Sequence, residues 1–231
     1  IAQDANTSPN RSPVDSLISK ISYSNQNDTL FTDLCLTIAR YYDDNNQFDS
    51  MQHWLNVGKE KLTVLDTQIA HFNYSAFQSI AYYYNGLLQM DLYESYKVLE
   101  IAEALNDSIL LTTGYNFVGL ANSNVGEYQK AIPFFYKGMK YARQPPFDSK
   151  YKVTSKPHHL YGNLAEAYYK LKKYDSALFN VQRSLKLASE INSKRGIAVA
   201  HNLIGLIYHE THQFDSALFY QNKALQDGTL F

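Results

Sequence analysis

His209 to His212 spell His-Glu-Thr-His, and two imidazoles flanking a carboxylate are the raw material of a helix-borne zinc site. That chemistry needs the histidines at i and i+4, where both leave one helix face and the glutamate can act as a base. Here the spacing is i and i+3, so Glu210 has no base role by pattern, and the segment reads as the wet end of a helix. His158 and His159 are adjacent, and neighbours on a helix point in different directions, which argues against joint ligation. His201 stands where an aromatic would pack, so packing is its expected task. Asp175-Ser176 and Asp215-Ser216 set an acid beside a hydroxyl, yet a carboxylate there is explained by its favourable place at a helix N-terminus. The serines are then exposed early-helix residues. Cys35 is the only cysteine, so neither an intrachain disulfide nor a cysteine zinc cluster can form, and the thiol reads as a small buried hydrophobe. With no Gly-x-Ser-x-Gly elbow and no glycine-rich phosphate loop, the sequence offers no catalytic residue, no cofactor and no metal site.

The 231 residues carry a formal net charge of −1, which gives no electrostatic ground for nucleic acid, since phosphate binding shows as a basic face or stripe. No apolar run reaches the ~18–20 residues that span a bilayer, so no membrane segment is expected within the chain. Twenty tyrosines and twelve phenylalanines stand against only ten glycines and six prolines. They recur at helical spacing. From Asn116 to Ala142, Val118, Ala121, Val125, Tyr128, Ala131, Phe135 and Met139 follow at steps of three and four, broken by "NVGEY", which predicts helix, tight turn, helix.

The Asp-Ser pairs belong to this pattern. "KYDSALFNVQRSL" and "QFDSALFYQNKAL" repeat one another, with Tyr174 and Phe214 forty residues apart, and a chain that stacks copies of one unit must repeat its packing residues. Helix, turn, helix with small residues at three fixed places resembles the tetratricopeptide repeat over roughly residues 30 to 227. The turn residues align as Phe48, Leu92, Tyr128, Tyr174 and Phe214. Three later come Met51, Ser95, Ala131, Ala177 and Ala217; ten later, Gly58, Ala102, Gly138, Ser184 and Ala224; nine earlier, Ala39, Tyr83, Gly119, Ala165 and Gly205. Small residues let antiparallel helices approach closely, and stacking buries the faces a single hairpin leaves wet.

The resemblance implies an all-α fold, a tetratricopeptide-like α-solenoid of about five antiparallel helix pairs plus an N-terminal capping helix, wound as a right-handed superhelix. Residues 1–11 read as a flexible lead-in and 12–231 as one domain. Its units lie near 30–66, 69–106, 108–143, 156–191 and 194–227. Ser12-Pro13 are expected to open the first helix as N-cap and N1, with "NQNDT" as the loop after it. Pro145-Pro146 and Pro157 bracket a loop over 144–155, expected to be solvated, with Lys150, Lys152 and Lys156 as a small basic patch. At the last unit Leu218 is assigned to the interhelix surface, Gly228 to a helix C-cap, and Gln221 stands where an apolar packing residue is usual.

In such stacks the first helices of the pairs line a concave groove. Its expected wall is Arg40, Asp43 and Asp44, then Tyr84 and Leu88, then Asn116, Leu120 and Asn124, then Glu166, Tyr169 and Lys170, and last Asn202, Leu206 and His209. Mixed aromatic, amide and charged groups suit a peptide or protein in the groove, or self-association. Repeats that clamp a partner's C-terminal carboxylate carry Lys, Asn and Arg at set inward sites. Here those sites read Leu36, Ile80, Asn116, Gly162 and Asn202, so that clamp is absent.

"VDSLISKISYSNQNDT", "FDSMQHWLNVGKEKL" and "YDSALFNVQRSLKLASEIN" are similar to the N-terminal regions of bacterial two-component sensor kinases and membrane-tethered helix-turn-helix regulators. That resemblance implies a non-catalytic sensor domain outside the inner membrane, with tethering, and a histidine kinase or DNA-binding output elsewhere in the protein. Ile1-Ala2-Gln3 and the end at "LQDGTLF" are expected to mark an excision from a longer array that follows a signal peptide. The alternative is a cytoplasmic scaffold or peptide-binding regulator without membrane attachment.

Overall fold

The computed structural model describes residues 13–23, 29–62, 67–148 and 150–228. The lead-in, the Ser12 cap, most of "NQNDT" and the last three residues lie outside the described residues. Helices are α1 (Pro13–Tyr23), α2 (Thr29–Asp44), α3 (Phe48–Lys59), α4 (Gln68–Tyr84), α5 (Leu88–Leu105), α6 (Ser108–Asn124), α7 (Tyr128–Met139), α8 (Pro157–Lys170), α9 (Tyr174–Glu190), α10 (Lys194–Glu210) and α11 (Phe214–Gly228). No strand occurs among the described residues. Consecutive helices pack as neighbours, and among the first helices of the pairs α2 also touches α4, α6 touches α8 and α8 touches α10. Helix α1 packs against α2 and buries Val14.

Every turn inside a pair places one residue in the left-handed region two positions before the second helix. These are Asn46 (φ 56°), Gly86 (72°), Gly126 (84°), Lys172 (57°) and His212 (60°). The identity of these turns corrects the register of the second unit. Its turn position is Leu88, four residues before Leu92, and the intervals become forty, forty, forty-six and forty residues. Because left-handed backbone strains any side chain, Gly126→Ala is expected to lower unfolding free energy by about 1–2 kcal/mol, and Lys172→Gly to raise it by about 0.5 kcal/mol. Urea unfolding followed by helical circular dichroism checks both signs.

With that register the packing rule is uniform. The residue seven past the turn position lies on the small residue nine before it. Leu55 meets Ala39, Ser95 meets Ser79, Phe135 meets Gly119, Val181 meets Ala165 and Gln221 meets Gly205. A Cβ added to Gly119 would run into the Phe135 ring. In the last unit Gln221 lays its stem on Gly205 and donates from Nε2 to the Asn202 carbonyl at 3.2 Å, so an amide replaces the apolar contact. Helix α11 departs from the expectation at Leu218, which is 64% exposed, whereas Leu178 and Leu185 of α9 are packed into the cluster that α10 completes. Gly228 is the last residue of α11.

The second unit differs chemically. Tyr83 is not its close-approach residue; Ser79 is, and Asp91 stands where three other units have alanine. Ser79 Oγ donates to Asp91 Oδ1 at 2.5 Å, Ser95 Oγ donates to the same oxygen at 3.2 Å, and Asn124 Nδ2 of the next unit donates to Oδ2 at 3.1 Å. A polar knot thus replaces the alanine seam. Burial raises the Asp91 carboxyl above its ordinary value, and the three hydrogen bonds oppose that rise.

Candidate functional site

The segment between α7 and α8 is solvated in its first half, where Arg143, Gln144, Pro146 and Asp148 are exposed, but not in its second, where Tyr151 and Ser155 are buried. From Lys150 to Ser155 it crosses the first three units as a bent, non-helical strap. Asn73 of α4 grips it by both ends of its amide: Nδ2 donates to the Lys150 carbonyl at 3.0 Å, and Oδ1 accepts from the Lys152 N–H at 3.2 Å. Arg40 of α2 donates from Nη1 to the Lys152 carbonyl at 2.7 Å. Thr113 Oγ1 of α6 accepts from the Ser155 N–H at 3.0 Å, and Asn116 Nδ2 donates to Ser155 Oγ at 3.0 Å. The physical reason is accounting. Backbone donors and acceptors must be satisfied when a chain is covered, and amides and hydroxyls on α2, α4 and α6 supply the partners.

Side chains of the strap fill built sockets. The Tyr151 ring is buried and its hydroxyl donates to Asp107 Oδ2 at 2.6 Å. That bond, followed by burial, pushes the phenol up to about 12. At Asp107 burial pushes the carboxyl up, but Tyr151, the Leu110 and Ile109 N–H groups and Lys150 outweigh it and hold it below the usual range. Val153 packs against both the α2–α4 and the α4–α6 core clusters. Lys152 Nζ lies 3.1 Å from Asp33 Oδ1. The basic patch expected here is therefore partly neutralised.

Beyond the strap the groove stays open. A cavity of about 530 Å³ runs from Val153, Thr154 and Ser155 across α6 and α8 to α10. It brings together four of the expected residues, Leu120, Glu166, Asn202 and Leu206, with Phe117, Asn163, Arg195 and Leu203. A volume of this size is typical of a ligand site, and its lining mixes apolar side chains with amides, hydroxyls, Glu166 and Arg195. Asn116 also borders it, but the strap and Asn163 already use its amide: Asn163 Nδ2 donates to Asn116 Oδ1 at 2.8 Å. A second cavity of about 320 Å³ adjoins it through Glu166, Leu120 and Arg195 and reaches Asp43, Asp44, Asp91, Tyr83 and Tyr84. Burial first, then Asp44, raises the Asp43 carboxyl, while Arg195 and Arg40 pull it down. A third hollow holds Leu88 and Lys170 beside Tyr83 and Glu166.

The remaining expected residues have other tasks. Arg40 also reaches Asp44, 3.8 Å away at the surface. Tyr84 stacks on the turn residue Phe48 with ring centroids 3.7 Å apart. Leu88 is the first residue of α5, a consequence of the corrected register. Tyr169 packs with Tyr174 at the α8–α9 turn, and His209 faces Glu210 and Phe214 at an exposed helix end; neither lines these cavities. Tyr83, Asn73, Asn163 and Arg195 were missed, the first through the four-residue shift and the others because amides and a lone arginine carry no motif.

Among the described residues no group of His, Cys, Asp and Glu could hold a metal ion. His212 is a turn residue in left-handed backbone, which separates it from His209. His158 and His159 do meet, with ring centroids 4.2 Å apart and edge to face. Burial, then Lys156, pushes His158 down to about 4, and burial leads the fall of His159 to about 3. Lys156 N–H donates to His159 Nδ1 at 3.2 Å, whereas neither ring nitrogen of the buried His158 has a partner. His201 binds Asp227 of α11, Nδ1 to Oδ2 at 2.7 Å. Cys35 is buried, and burial pushes its thiol up to about 12.

The tetratricopeptide-repeat family profile matches residues 158–226, the last two units. The whole solenoid is tetratricopeptide-like. A Rap protein complexed with Competence and Sporulation Factor superposes with a TM-score of 0.77 at 15% identity, over 93% of this chain and 58% of that one. BtubC (BKLC) from P. vanneervenii superposes with a TM-score of 0.69 at 12% identity, over 95% of this chain and 92% of the other. In sequence, an uncharacterized protein ycf37 of Guillardia theta is 44% identical over 54 residues, which is 23% of this chain and 30% of that protein's length. The chain thus spans under a third of that relative.

Proposed function

We propose that the chain is a non-catalytic peptide- or protein-binding repeat domain and that it serves as the sensory input of a bacterial signal-transduction protein. The observation that carries the binding role is the groove itself: it already holds residues 150–155 by side-chain bonds to their backbone and leaves about 530 Å³ of mixed apolar and polar space beyond them. A Rap protein of the same fold has been solved complexed with a factor. The sensory role, and a place outside the inner membrane with tethering and a histidine kinase or DNA-binding output elsewhere, rest on the resemblance of the repeat sequences. No described helix is long and apolar enough to cross a membrane. A ligand that bridges α6, α8 and α10 would change the curvature of the stack and pass that change along it.

The test is selection of twelve-residue peptides from a random display library against the intact chain. Binding of the selected peptides is expected to weaken about tenfold or more on Glu166→Ala or Leu206→Ala and to be unaffected by Phe179→Ala on the outer face. Selected peptides indifferent to both groove substitutions would contradict the reading. In cells, deletion of the repeats that leaves signalling unchanged would remove the sensory role.

A further inference from the structure

We propose that residues 150–155 are a built-in competitor: the strap is a ligand held in cis, and the sites on α2, α4 and α6 that hold it recognise a partner's non-helical segment of the same chemistry. The inference rests on the binding role proposed above and names its occupant.

The strap is held as a bound peptide is held. Asn73 takes the carbonyl of one residue and the N–H of the residue two further on, a contact that reads backbone and no particular side chain. Arg40 takes the Lys152 carbonyl and, beyond the bend at Lys152 and Val153, Thr113 takes the Ser155 N–H. Specificity comes from what alternates with them. Tyr151 puts its ring in an apolar socket with its hydroxyl on the Asp107 carboxylate. Lys152 sends its ammonium to Asp33, and Val153 fills the seam between two core clusters. The seryl hydroxyl of Ser155 reaches Asn116. The pattern recognised is therefore aromatic hydroxyl, basic, β-branched, any residue, hydroxyl, in a non-helical chain.

Two features mark the strap as displaceable. None of its residues from Lys150 to Ser155 lies in a helix, and its attachments are side-chain bonds to one face, with Lys150 and Lys152 at the rim. It also ends where the open cavity begins, since Val153, Thr154 and Ser155 form one wall of that space. A partner segment that enters beside Asn202 and Leu206 and runs toward α2 would meet the strap end to end. It would gain the Asn73, Arg40 and Thr113 contacts as the strap leaves.

The probe is a synthetic peptide with the sequence of residues 147–156, Phe-Asp-Ser-Lys-Tyr-Lys-Val-Thr-Ser-Lys. Isothermal titration compares the wild-type chain with a variant whose residues 150–155 are an alternating Gly-Ser run of equal length. The variant is expected to bind the peptide about tenfold or more tighter than wild type, to lose about tenfold on further Asn73→Ala, and to ignore a scrambled peptide. Folded variant that binds neither peptide, or both alike, overturns the proposal. If it ignores the strap peptide yet keeps its display-selected peptides, this inference alone falls; loss of both takes the groove reading with it. If the variant does not fold, amide exchange of the wild type decides. The Lys152 and Ser155 N–H groups are expected to exchange about a hundredfold faster than those of Phe117 and Val118 in α6, through local opening. Equal rates would make the strap a fixed part of the core and end the proposal.

Discussion

Phe135→Ala is expected to be the most damaging single truncation in the third unit, lowering unfolding free energy by about 3–5 kcal/mol. The ring is fully buried and lies flat on Gly119, where α6 and α7 come closest. The same contact makes Gly119→Ala costly from the other side. Its Cβ would stand 2.7 Å from Phe135 Cδ1 and 2.9 Å from Cζ, and overpacking of this kind costs about 1–3 kcal/mol. The two changes share one space, so they cannot add. Once the ring is gone a methyl at position 119 has room, and the double variant is expected to be no less stable than Phe135→Ala alone, within about 0.5 kcal/mol. Urea unfolding of the four proteins checks it, and strictly additive losses would show that the two residues do not meet.

Asp91→Ala is the second large effect, and its sign is less obvious, since alanine is what three of the other four units carry there. Asp91 is 3% exposed and satisfies Ser79, Ser95 and Asn124. Its removal leaves the buried Ser79 and Ser95 hydroxyls only each other and takes the acceptor from the half-buried Asn124 amide, a loss of about 1–3 kcal/mol. Ser79→Ala made together with it returns the seam to the alanine contact of the other units, and the pair is expected to lose less than Asp91→Ala alone. The pH dependence has a fixed sign. Burial raises the Asp91 pKa in the folded state, so its contribution is fully present below the unfolded carboxyl pKa of about 3.9 and is lost as pH rises through the folded value. Compared with Asp91→Asn, which cannot ionise, the wild type should therefore become relatively more stable as pH falls from 7 toward 4. An unchanged difference across that range would mean that the carboxyl is not desolvated.

The periodic part of the fold was legible because repetition multiplies a weak signal. Ala131, Ala177 and Ala217 agree with one another, as do Gly119, Ala165 and Gly205, and helix pairs follow from them. Register failed only where the pattern is replaced by other chemistry. With Ser79 and Asp91 in place of two small apolar residues, the nearest apparent match was Leu92. Asn85-Gly86 held the correcting signal, since a glycine two before the second helix recurs as Gly126. The site was half legible for a related reason. Helical periodicity places Leu120, Glu166, Asn202 and Leu206 on the inner layer, but it says nothing of a loop that returns to that layer from another unit. "KYKV" alternates basic and apolar residues, and Tyr151, buried, and Val153, half-buried, are the half of that alternation that packs on the core. Their partners Asn73, Thr113 and Asp107 lie on other helices, so no local pattern joins them.

Labelling the intact chain with ¹⁵N and adding a display-selected peptide tests the central claim most directly. A ligand in the groove predicts the largest amide shifts at Asn163, Glu166, Asn202 and Leu206, the residues that line the cavity of about 530 Å³, with Phe179 and Leu218 on the outer helices unmoved. Shifts confined to Phe179, Leu218 and their neighbours, with the inner layer silent, would contradict it.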